Sequence, residues 1–164
     1  MTPSAFNSFL KERQLTIATA ESITAGMLCS AITSVAGASS VLKGGIVTYD
    51  EKLKVKLLGV KPETLASYSA ESAETTLEML TGLIKLDLDA SIYVSVTGVA
   101  SAPVNTYQLT KPVGQVYVAI SYKNKIYSFE TILQPEEATD PRNQIREKAV
   151  SYIFDKIYEV IISL

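Results

Sequence analysis

A serine of the Gly37-Ala38-Ser39-Ser40 cluster, Tyr49 and Lys54 form the set of side chains in this sequence suited to activating a hydroxyl. The chain has no histidine and one cysteine. Ser-His-Asp and Cys-His catalysis, His-ligated zinc, thiolate clusters and CxxC redox chemistry are therefore excluded. Bond-making falls to Ser/Thr, Tyr, Lys, Arg and carboxylates, and a Ser–Lys pair is the remaining way to make a hydroxyl nucleophilic. Ser39 lies in Gly37-Ala38-Ser39-Ser40, Tyr49 closes a strand-like run, and Lys54 follows five residues later at the start of a helix. Such positions can converge at the carboxyl edge of a sheet, where α/β proteins bind ligands. A lysine partly buried there loses some of its preference for charge and can act as a base. The plainer alternatives are a Gly-Ser turn at 37–40 and a solvated helix face, since Lys52, Lys54 and Lys56 alternate.

Two other positions carry chemistry. Residues 19–26, Thr-Ala-Glu-Ser-Ile-Thr-Ala-Gly, join a strand to a helix. A helix N-terminus offers unpaired N–H groups to a phosphate; the alternative is simple capping by Ser22 or Thr24. No P-loop or GxGxxG pattern accompanies it. Arg142 and Arg146 stand one turn apart near the start of the last helix. Cations there oppose the helix dipole, so each is either solvated or engaged with an anion such as a phosphate. Cys29, among apolar residues, reads as a small buried hydrophobe.

The elements that would position these groups follow from periodicity. Helices are predicted at 3–13, 22–35, 52–58, 71–85 and 140–164, with a further helical turn at 63–67. Strands are predicted at 15–20, 44–49, 91–97, 113–122 and 126–133, the last two joined by a hairpin turn at Lys123-Asn124-Lys125. Residues 98–111 carry no period and read as a long loop. Strands separated by helices predict a layered α/β sheet, and the closing hairpin makes it mixed. No linker or repeat divides the chain, so one domain over 1–164 is expected.

Fifteen Lys+Arg against seventeen Asp+Glu leave a net charge of −2, without the bulk basic charge of a nucleic-acid binder. No signal-like or membrane-spanning run is present, so no membrane partner is expected and the cytoplasm is the expected compartment. The nine tyrosines and the long last helix suit sheet packing or the interface of a homo-oligomer.

Several fragments together resemble the CinA C-terminal domain family. Thr19–Gly26 resembles its "TAESCTGG" opening, and Gly37–Ser40 with Gly45–Tyr49 resembles "GSS…GxVTY". Lys54 with Leu58-Gly59-Val60 falls at the family's lysine and "LGV". Thr97–Ala100 and Lys111–Gly114 resemble "TGIAGP…KPVG", and Asp140–Ala149 resembles "DRxxVRxxA". The order is collinear from residue 3 nearly to the end. The resemblance implies a stand-alone three-layer α/β/α domain. It implies an amidohydrolase that converts nicotinamide mononucleotide to nicotinate mononucleotide and ammonia, without metal or organic cofactor. On it, Ser39 is the catalytic serine, Lys54 its partner and Tyr49 the assisting tyrosine. Arg142, Arg146, Ser22, Thr24, Gly26, Thr97 and Gly98 bind the small-molecule substrate. Two departures stand out: Ile23 and Ala25 replace the motif's Cys and first Gly, and residues 99–109 lack the family's glycines. A binding or interaction module of the same fold without turnover is the alternative reading.

Overall fold

A computed structural model of the protein describes residues 1–103 and 108–163. Helix α1 (Pro3–Glu12) starts with Pro3 in its first turn and the Thr2 hydroxyl accepting from the Ala5 N–H. The other helices are α2 (Met27–Thr33), α3 (Glu51–Leu58), α4 (Pro62–Tyr68), α5 (Ala73–Lys85) and α6 (Pro141–Ile162). The strands β1 (Ile17–Glu21), β2 (Leu42–Val47), β3 (Ile92–Gly98), β4 (Gln115–Tyr122) and β5 (Lys125–Ile132) form one sheet in the order β2-β1-β3-β4-β5. β1 is parallel to β2 and β3, while β4 and β5 run antiparallel to their neighbours. The mixed α/β sheet expected from the sequence is present.

Alternation along the strands divides the core. Ile17, Val94, Val96, Val116 and Val118 meet α1, α2 and α6, where Phe6 stacks on Phe154 at 4.1 Å between ring centroids. Ala18 and Ala20 meet Leu58, Val60, Met79 and Leu83 on the other face, beneath α3 and α5, with Leu65 of α4 packed against them. The small β1 residues let α5 lie close to the sheet. On α5, Gly82 abuts the Leu58 carbonyl so tightly that a Cβ would collide with it. That contact draws α3, the helix carrying Lys54, against α5.

The element boundaries differ from expectation in instructive ways. α2 starts at Met27, not at 22, because Ala25 (φ 46°) and Gly26 (φ 92°) adopt left-handed conformations that interrupt a helix. β2 spans 42–47 and not 44–49, so Tyr49 lies beyond it. The hairpin turn is two residues, Lys123 and Asn124, both at positive φ as a type I′ turn requires, and Lys125 already belongs to β5. Of the long loop expected at 98–111, Gly98 closes β3, and Val104–Tyr107 lie outside the described residues. Among the described residues, no helix is long and apolar enough to cross a membrane.

Candidate active site

Parallel strands β1, β2 and β3 all end at one edge of the sheet, and Thr48 continues β2 by donating its N–H to the Glu21 carbonyl. Lys54 reaches this edge from α3. Asp50 caps that helix, its carboxylate accepting from the Lys52 N–H at 2.7 Å. Lys54 itself has no exposed surface, although its neighbours Lys52 and Lys56 are exposed. The solvated-face alternative for Lys54 is thereby corrected.

Among the described residues the Lys54 Nζ has three hydrogen-bond partners, all neutral: the Thr48 carbonyl at 2.5 Å, the Ser22 Oγ at 3.0 Å and the Tyr49 carbonyl at 3.3 Å. Burial pulls the lysine pKa down to about 8, against a smaller opposing pull from the charges of Glu71, Glu51 and Asp50. An ammonium can donate to all three partners. A neutral amine can keep the two carbonyls and turn its lone pair to the Ser22 hydroxyl. One geometry therefore accommodates both protonation states, with only the Ser22 hydrogen bond reversed.

The hydroxyl beside the lysine was expected to be that of Ser39. Ser39 instead occupies a short 3-10 turn (Ala38–Ser40) just before β2 begins, at the amino edge of the sheet. The length of β2 separates it from Lys54, roughly 20 Å at the usual strand rise. Ser39 is exposed, and its hydroxyl makes no hydrogen bond among the described residues. Tyr49 meets Lys54 through its backbone carbonyl, while its hydroxyl accepts from Arg142; Ser39 does not join them.

The helix N-terminus expected to receive a phosphate is already occupied. The buried carboxylate of Glu21 accepts from the N–H groups of Gly26 (2.9 Å), Leu28 (3.0 Å) and Cys29 (3.0 Å). Neither Ser22 nor Thr24 supplies the cap. Thr24 is fully buried and its hydroxyl has no partner among the described residues. Glu21 is thus the organising residue that sequence reasoning overlooked; the only signal was a carboxylate at the end of an apolar strand, five to eight residues before the amides it holds. Thr48 was also missed. It is buried beside Lys54, and its hydroxyl has no partner among the described residues. Cys29, expected to be buried, is half-buried beside the Thr19 hydroxyl, and its thiol pKa is raised to about 11 chiefly by burial.

The two arginines diverge. Arg142 borders a cleft of about 840 Å³ together with Ile23, Tyr49, Glu71 and residues 99–103. Its guanidinium donates to the Tyr49 hydroxyl at 2.9 Å and the Ser101 hydroxyl at 2.5 Å, so its charge meets neutral partners. Arg146 faces the 22–26 turn, donating from Nε to the Ile23 carbonyl (3.0 Å) and from Nη2 to the Thr24 carbonyl (2.9 Å). Thr97 and Gly98 also serve the scaffold. The buried Thr97 hydroxyl pairs with Thr76 of α5 at 2.8 Å, and a Cβ on Gly98 would lie 2.5 Å from the Gln115 carbonyl. Among the described residues no cluster of His, Cys, Asp or Glu could hold a metal ion.

Fold and site together define an α/β protein with a cleft, a buried lysine and an arginine at the carboxyl edge of a mixed sheet. The model of the CinA C-terminal domain matches residues 2–161, and the chain belongs to that family. A CinA-like protein of Kosmotoga olearia is 38% identical over 157 residues, which are 96% of this chain and 36% of that protein. The chain thus spans about a third of the length of the curated relatives it matches. The crystal structure of competence/damage inducible protein CihA from Agrobacterium tumefaciens is 30% identical, with a TM-score of 0.82 over 96% of this chain and 92% of that one. A CinA superfamily protein of Escherichia coli is 28% identical at the same TM-score, over 96% and 87% of the two chains.

Proposed function

We propose that the chain is an amidohydrolase that deamidates nicotinamide mononucleotide, with Ser22 in place of Ser39 as the nucleophile. The observation that carries this reading is the hydrogen bond between Lys54 Nζ and Ser22 Oγ, inside a site that holds the amine pKa near 8. The neutral Lys54 amine takes the Ser22 proton as the oxygen attacks the carboxamide carbon. The resulting ammonium returns that proton to the leaving nitrogen as the C–N bond breaks, releasing ammonia and an acyl-serine. Lys54 then deprotonates a water that cleaves the ester, giving the carboxylate and restoring Ser22. Arg142, with its guanidinium on two neutral hydroxyls at the cleft, is placed to exchange them for the substrate phosphate. Tyr49 orients Arg142. The cycle asks for no metal or organic cofactor.

The test is ammonia release from nicotinamide mononucleotide by the wild-type chain, Ser22→Ala and Lys54→Met. Turnover by the wild type and its loss in both variants is the expected result. Full turnover in either folded variant overturns the pairing. Thermal stabilisation of the wild type by the mononucleotide without ammonia release replaces the amidohydrolase reading with the binding-module one.

A further inference from the structure

Arg146 makes its polar contacts with the protein itself, and the choice of partners is informative. Its fork bridges two successive carbonyls, those of Ile23 and Thr24, from the second turn of α6. Its third nitrogen donates to the Asn143 Oδ1 at 2.7 Å, and the Asn143 amide in turn donates to Asp140, the N-cap of the helix, at 2.7 Å. All three guanidinium nitrogens are therefore engaged, two of them on adjacent carbonyls, a geometry that lysine cannot reproduce.

The residues it grips follow Ser22 directly. The backbone that follows them is held as well, where Glu21 takes the N–H groups of Gly26, Leu28 and Cys29. The turn between carries an alanine at positive φ, a conformation that costs energy and needs outside support. The Glu21 carboxylate, on the Gly26 amide and the first amides of α2, and the guanidinium on the Ile23 and Thr24 carbonyls supply that support.

Resting on the reading that Ser22 and Lys54 form the nucleophilic pair, we propose that Arg146 is a positioning residue, fixing through the Ile23 and Thr24 carbonyls the turn that presents the Ser22 hydroxyl to the Lys54 amine. It acts on the serine through backbone, and the substrate does not touch it. Arg142, four residues earlier and at the cleft, is the arginine left to meet the ligand.

The test compares wild type, Arg146→Gln and Arg146→Lys in ammonia release from nicotinamide mononucleotide. In parallel, nitrogen-15 NMR of lysine-labelled protein follows the titration midpoint of Lys54. Arg146→Gln is expected to lower kcat about tenfold or more, since small misplacements of a reacting group are costly, with KM within about twofold. The Lys54 midpoint should rise by about half a unit or more from about 8, because a loosened turn admits water to the amine. Arg146→Lys should fall between wild type and Gln on both measures, and it carries the comparison if the Gln variant does not fold. A raised KM with unchanged kcat makes Arg146 a substrate contact and overturns the proposal. An unmoved Lys54 midpoint in a folded variant overturns it as well, whatever happens to kcat. If the wild type releases no ammonia, the amidohydrolase reading fails, and the midpoint alone decides the clamp.

Discussion

Ser22 and Ser39 stand at opposite ends of the parallel strands β1 and β2, and their surroundings differ in almost every physical respect. At the carboxyl edge, Ser22 meets a buried amine, and the backbone around it is held by a carboxylate and a guanidinium. At the amino edge, Ser39 is exposed on a short turn stabilised by local hydrogen bonds, such as that from the Ser40 hydroxyl to the Gly37 carbonyl. The difference lies in preorganisation. A hydroxyl becomes reactive when a base is fixed beside it and water is kept from that base, and only one end of the sheet provides both.

The comparison is broken most sharply at Lys54. Replacing it with Met, or Ser22 with Ala, should lower ammonia release at least about 1000-fold by removing the base or the nucleophile. Steady-state assay of the two variants and their double mutant checks this. Groups that act as a unit lose no more together than singly, so additive losses would mean that they act separately.

The Arg142 side of the cleft should be less costly. Arg142→Ala removes a charge-assisted contact, and KM for the mononucleotide should rise about 10- to 100-fold while KM for the phosphate-free riboside changes little. Equal effects on both substrates would take the phosphate away from Arg142.

A third effect is read through pH. The rate should climb about tenfold per unit up to about 8 and then level, as the Lys54 amine becomes neutral. Stability should follow the same group. Its folded pKa lies below its unfolded value of 10.5, so the cost of burying the ammonium is complete below about 8 and disappears as pH rises to 10.5. Across that window the wild type should gain up to about 3 kcal/mol relative to Lys54→Met in urea unfolding. A constant difference would mean that Lys54 titrates normally.

The residues that were legible in the sequence are those whose roles are local. Apolar alternation in β3, the Asp140-Pro141 helix start and the hairpin turn at Lys123-Asn124 all show in spans of a few residues, and the layered mixed sheet follows from them. The site was legible where its residues sit close together in sequence, as Tyr49 and Lys54 do on either side of the Asp50 cap. It was not legible where partners meet across the fold. Lys54 and Ser22 are 32 positions apart, and Arg146 lies 123 positions from Ile23. Spacing alone could not choose between Ser22 and Ser39 for a lysine at 54. The register of β1 against β2 made that choice, by bringing the residue after Glu21 beside the residue after Val47.

The smallest expected effect is the most discriminating for the two ends of the sheet. Ser39→Ala should leave ammonia release within about twofold and stability within about 0.5 kcal/mol, as for an ordinary surface substitution. The hydroxyl it removes is exposed and makes no hydrogen bond among the described residues, so no contact is lost and no buried group is left unpaired. The Gly37 turn beside it keeps its fold, because Ser40 and not Ser39 closes it and Lys11 donates to the neighbouring Ala36 carbonyl. A collapse of turnover in Ser39→Ala, together with an active Ser22→Ala, would reverse the comparison. The amino edge would then have to meet substrate by a route that the strand β2 does not offer within one chain. Near-normal turnover in Ser39→Ala leaves the chemistry at the end of the sheet where the amine is buried.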